Sequence, residues 1–160
     1  MNHEIKKAIW RSMLDADMSA RYWKYLLHRY VERDRWLKIL LAVMTSGTVA
    51  VWGLWEDMRL LWQALSFISA ALAISLPYLD YSRKIDDMSA LAGGWGELML
   101  DCEDLWHRIK NHSNPQALED DYDKIRGTKA MLLKIEAELP DDEALLKKCQ
   151  SKVKKARGLD

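Results

Sequence analysis

Apolar and polar positions alternate with a helical period along most of the chain, but in one region charge disappears. Ile5, Ile9 and Met13 recur every fourth residue with Lys6, Lys7 and Arg11 opposite them, which predicts an amphipathic helix over residues 2–14. Asp15 to Ser19 reads as a break, where Asp17 or Ser19 can cap a second helix whose face holds Ala20, Trp23, Leu27, Tyr30 and Val31. Neither Gly nor Pro occurs between Ala20 and Val43, so this helix is expected to run on. Two uncharged runs follow, Ile39–Trp55 with 17 residues and Leu60–Leu79 with 20, separated only by Glu56-Asp57-Met58-Arg59. At 1.5 Å per residue they would reach roughly 25 and 30 Å, against a bilayer core of about 30 Å. This predicts a transmembrane helical hairpin, its first span lengthened by Trp36 and Leu37 if Lys38 snorkels to the headgroups. The competing reading, two buried helices of a soluble bundle, needs apolar neighbours on every side, and the remaining segments are too polar to supply them.

The second span is expected to continue through Ile85, Met88, Leu91, Trp95, Leu98, Cys102, Leu105 and Trp106 to about Lys110, with Pro77 as a hinge candidate. Asn111 to Pro115 is the clearest loop. Residues 116–139 then read as a helix with Leu118, Tyr122, Ile125, Met131, Leu132 and Ile135 inward, and Pro140-Asp141-Asp142-Glu143 opens a last helix. The expected fold is all-α: a membrane protein whose two-helix transmembrane hairpin extends into a cytoplasmic helical bundle. Its segments would be 1–38, N-terminal cytoplasmic helices; 39–79, the hairpin; and 80–160, a cytoplasmic helical region.

Charge sharpens the orientation. The 24 basic and 24 acidic residues cancel overall, but residues 1–38 carry a net +4, residues 80–146 a net −8 and the tail from Lys147 a net +5, so contacts between basic and acidic segments are expected. Arg21, Lys24, Arg29, Arg33, Arg35 and Lys38 precede the first uncharged run and Arg83 and Lys84 follow the second, whereas the loop offers only Arg59. By the positive-inside rule both termini would be cytoplasmic. No cleavable signal peptide is expected, because the first apolar run begins far into the chain. Cys102 and Cys149, far apart in sequence, read as reduced thiols.

Candidate chemistry is sparse. The four histidines, His3, His28, His107 and His112, lack the spacing of metal ligands, and Asp101, Glu103 and Asp104 read as a solvated helix face. No catalytic residue, metal or cofactor is expected. Gly93 and Gly94, within a helical pattern, are candidates for close helix packing, as are Ala42, Ser46 and Ala50 in the first uncharged run. These small-residue stripes can join the helices of one hairpin. Alternatively, several copies could place Thr45 and Thr48, or Gln63, Ser66, Ser69 and Ala73, along a shared pore. The uncharged interiors argue against a proton relay or coupled transporter. Arg29, Arg33, Arg35, Lys147, Lys148, Lys152 and Lys154 are candidates for an anionic nucleotide or oligonucleotide, although ion pairing and headgroup contact compete for them.

The run Arg21-Tyr22-Trp23-Lys24-Tyr25 through Arg33-Asp34-Arg35-Trp36, the paired uncharged stretches, and Tyr78-Leu79-Asp80-Tyr81 through Ala90-Leu91-Ala92-Gly93-Gly94-Trp95 together resemble the SLATT domain. The resemblance covers most of residues 10–110 and lies in architecture and patterning rather than an invariant motif. It implies a membrane effector of bacterial antiphage defence. Such an effector would be a homo-oligomer of four or more copies in the bacterial inner membrane, in contact with lipid. It would act as an ion channel or pore that depolarises the cell on a nucleotide signal from a companion nucleotidyltransferase. The alternative is a non-conducting two-pass scaffold or sensor that binds a partner protein through its cytoplasmic helices.

Overall fold

The computed structural model describes residues 3–45, 59–75, 80–110 and 115–158. The described residues form five helices: α1 (His3–Thr45), α2 (Arg59–Ser75), α3 (Tyr81–Lys110), α4 (Pro115–Glu136) and α5 (Glu143–Ala156). They divide into two compact units, one built from residues 1–27 and 86–160, the other from residues 28–85.

The first unit is organised by α3. Met88, Leu91, Trp95, Leu98, Cys102, Leu105 and Ile109 alternate at spacings of three and four and are all buried. A stripe of this period stays on one side of a helix and packs knobs into holes against its neighbours. Ile9, Met13, Ala16, Trp23 and Leu26 of α1 supply the facing surface, Leu118, Ile125 and Leu132 of α4 a second, and Leu145, Cys149 and Val153 of α5 a third. Trp10 and Trp106 stack at the edge with ring centroids 5.4 Å apart. The α3 face read from the sequence is therefore the core face. On α4 the agreement is partial, since Met131 and Ile135 are 64% and 40% exposed and only one residue in seven is fully inward.

The expected break at Asp15–Ser19 does not occur; α1 is continuous there. Asp17 serves tertiary structure instead of a cap. Its buried carboxylate accepts from Arg21 Nε at 2.6 Å and lies 3.5 Å from Arg157 Nη2, beyond the end of α5. Ser19 is buried as well. The C-terminal part of the bundle is tied down by Lys129 Nζ on Asp15 at 2.9 Å and by the Asp142 N–H donating to the Tyr22 hydroxyl at 2.7 Å. Asp142 caps α5, its carboxylate accepting from Leu145 N–H at 3.0 Å, so Pro140 and Asp141 precede the helix rather than open it.

The transmembrane hairpin is the main correction. Among the described residues no helix is long and apolar enough to cross a membrane. The second expected span is represented by α2, which has 17 residues and so measures about 25 Å, short of the hydrocarbon core. It does not run on into α3. Asp80, directly before Tyr81, takes a left-handed φ of 49°, a conformation Asp tolerates better than most side chains, and its carbonyl accepts the first α3 bond from Lys84 N–H at 3.1 Å. Only the beginning of the first expected span, up to Thr45, is described, as the end of α1. The all-α architecture stands, but the spanning hairpin, the inner-membrane location with both termini cytoplasmic, and the channel built on them are not supported.

Two stability measurements test this packing. Asp17→Ala leaves Arg157 and Arg21 without their shared acceptor and is expected to cost about 1–3 kcal/mol in denaturant unfolding. Gly93, where an added Cβ would meet nothing within 4 Å, is expected to gain up to about 1 kcal/mol as Gly93→Ala. Gly94→Ala is expected to forfeit that gain, because its Cβ would stand 2.6 Å from Leu132 Cδ2.

Candidate interaction surface

The second unit has the opposite surface character. Along α2, Leu60, Phe67, Ile68 and Ile74 are 83%, 77%, 50% and 68% exposed, and among the described side chains from Gln63 onward only Ser69 and Leu72 are half-buried. In the same unit, the end of α1 exposes Trp36, Ile39, Leu40 and Val43. Helices stay in water by presenting a polar face, and α2 has none: its polar residues are Arg59 at the start, Gln63 and three serines. Ser75 satisfies its hydroxyl internally on the Ala71 carbonyl at 2.7 Å. Polar contacts in this unit sit elsewhere, in Lys38–Asp34 at 2.6 Å and in His28 Nε2 at 3.3 Å from Glu32. The Tyr30 and Tyr81 rings meet at 5.8 Å between centroids.

The residues singled out from the sequence fall as follows. Gln63, Ser66 and Ala73 are exposed and Ser69 half-buried on α2, and no spanning helix among the described residues carries them. Ala42 is exposed near the end of α1, which also contains Thr45; Thr48, Ser46, Ala50 and Pro77 lie outside the described residues. Gly94 packs against Leu132, whereas Gly93 is exposed with nothing near it. The basic candidates are divided between the two units. Arg29, Arg33 and Arg35 belong to one unit, Lys147, Lys148, Lys152 and Lys154 to the other. Lys152 donates to the Tyr25 hydroxyl at 2.8 Å and lies 4.7 Å from that ring's centroid, and Lys147 reaches Glu143 at 3.9 Å. The hydrogen bond from Lys152 holds the Tyr25 phenol below its usual range.

The first unit holds the carboxylates and thiols singled out in the sequence. Asp101 and Asp104 border an open groove of about 280 Å³ in which Asp121 is held ionised by Lys124 at 3.0 Å and Arg108 at 2.7 Å. Among the described residues no group of three His, Cys, Asp or Glu could hold a metal ion. Both thiols are buried: burial pushes Cys102 up to about 11 and raises Cys149 despite Lys152, Arg21 and Lys148 nearby. A thiol is nucleophilic as its thiolate, so both should be unreactive. No family model matches the chain, and no curated protein or solved structure matches it either. The likeness to the SLATT family thus stands on the quoted residues alone.

Treatment with iodoacetamide near pH 8 is expected to leave both cysteines unmodified in the native protein and to label both after unfolding, as read by intact mass. Modification of either thiol in the native state would show that its helix opens.

Proposed function

We propose that this protein is a self-associating helical scaffold, in which residues 28–85 form the contacts between copies and the helical bundle of residues 1–27 and 86–160 provides surface for a partner protein. The observation that carries this is the row of exposed large apolar side chains on α2, Leu60, Phe67, Ile68 and Ile74. A helix with so broad an apolar surface is stable only when that surface is covered. Apolar area left in water forfeits about 25 cal/mol per Å², and patches of this kind mark association sites. A second copy is the occupant that fits best, because the same surface is then present on both sides of the contact and is apolar on both. One neighbouring helix covers only about a third of a helix circumference, so pairing alone leaves much of α2 uncovered and roughly four or more copies are favoured over a dimer.

Phe67→Glu and Ile74→Glu place a charge in the middle of that contact. Each is expected to reduce the native mass, measured by light scattering on the full chain, from a multimer to a monomer, while helix content changes little. A wild-type monomer at micromolar concentration, or a multimer indifferent to both charges, would overturn the proposal.

A further inference from the structure

The first unit holds a second feature, independent of self-association. Three helices meet at one carboxyl: the indole N–H groups of Trp23 on α1 and Trp95 on α3 converge on Glu136, the last residue of α4. Trp23 and Trp95 are each 1% exposed, and Glu136 Oε2 is sealed from water with them. An indole N–H only donates and an ionised carboxylate only accepts, so the two suit each other. Other features of the junction oppose the charge. Burial disfavours an anion, and the last turn of a helix carries partial negative charge of its own. Around the carboxyl stand Tyr22, Asp141, Asp142 and Glu143, which line one small cavity with Glu136 and Trp23, and among the described residues no Lys or Arg joins them. Burial outweighs the two indoles, and the Glu136 carboxyl is raised above its ordinary value of 4.5.

We infer that Glu136 is a proton-operated clasp, whose carboxyl holds the end of α4 and its turn into α5 more tightly on α1 and α3 when it carries a proton than when it is ionised. The turn is built around this point. Its backbone bonds return to the end of α4, from Glu138 N–H to the Ile135 carbonyl at 3.2 Å and from Leu139 N–H to the Glu136 carbonyl at 3.1 Å, and Asp142 N–H then ties it to the Tyr22 hydroxyl at 2.7 Å. Proton uptake removes a buried anion from beside three further carboxyl groups, while the carboxylic acid keeps acceptor capacity for the indoles. The folded bundle therefore binds this proton more firmly than the unfolded chain does. The stabilisation is complete below the unfolded value of 4.5 and is lost as pH rises through the folded midpoint above it. Two neighbours in the unit stay out of this window. Burial pushes the Tyr22 phenol further up from 10.0, and Lys124 and Arg108 hold Asp121 below the usual carboxylate range.

The test follows the indole N–H signals of the full chain, labelled with nitrogen-15, by NMR from about pH 8 to about pH 4. Signals are assigned through Trp23→Phe and Trp95→Phe. The Trp23 and Trp95 signals are expected to move together with one midpoint above 4.5, and to stay still in Glu136→Gln, which keeps size and shape. In each Trp→Phe variant the midpoint read from the remaining indole is expected to rise further, because one donor to the ionised form is gone. Asp141→Asn, Asp142→Asn and Glu143→Gln are expected to leave the transition in place. In hydrogen exchange corrected for its intrinsic pH dependence, amides between Ala137 and Asp142 are expected to be better protected at about pH 5 than at about pH 8, a difference lost in Glu136→Gln. A midpoint at or below 4.5, a transition that survives in folded Glu136→Gln, or equal protection at both pH values would overturn the inference.

Discussion

The row of buried side chains on α3, from Met88 to Ile109, is the constraint on which the first unit depends. Every other helix of that unit is placed by offering it a complementary apolar stripe, and the polar contacts follow from that placement. Asp17 is within reach of Arg157, Lys129 of Asp15, and Tyr22 of Asp142 because the helices carrying them have already been docked on α3. Close-packed interiors tolerate little rearrangement, which explains why an added Cβ at Gly94 would crowd Leu132 while Gly93, one residue earlier, has open space.

Among the described residues of the second unit no such row of buried side chains occurs. Among its described residues large apolar side chains such as Trp36, Leu60, Phe67 and Ile74 stay exposed, so the hydrophobic effect that completes the first unit leaves these side chains uncovered. The contrast separates two tasks. One part of the protein has an interior of its own; the other has the composition of an interior and is missing its surroundings.

Much of the first unit is legible in the sequence because α3 keeps its spacing for seven consecutive core positions, which no strand or loop would produce. On α4 the same reasoning reaches Leu118, Ile125 and Leu132 but overreaches at Met131 and Ile135, since apolar character alone does not reveal how narrow a contact stripe is. Asp15–Ser19 misleads for a different reason: Asp and Ser are the residues of helix caps, and here Asp15 and Asp17 take tertiary partners while Ser19 is buried. The uncharged runs announce a need for apolar surroundings without saying what supplies them, and of the second run only the part up to Ser75 lies among the described residues. The convergence of two indoles on the Glu136 carboxyl left no trace in sequence. Trp23, Trp95 and Glu136 come from three helices, and their meeting is a product of packing alone.

The first unit is discontinuous, and this bears on how the protein is made. Contacts such as Lys152–Tyr25 and Tyr22–Asp142 join residues separated by 127 and 120 positions, with the whole of the second unit synthesised in between. Folding of the bundle must therefore close a long loop before its core rewards the closure, which slows folding as contact order rises. During that delay α1 waits without its partners while the stickiest part of the chain emerges from the ribosome. For a chain of this layout the order of synthesis favours meeting another copy, or a chaperone, before the first unit is complete.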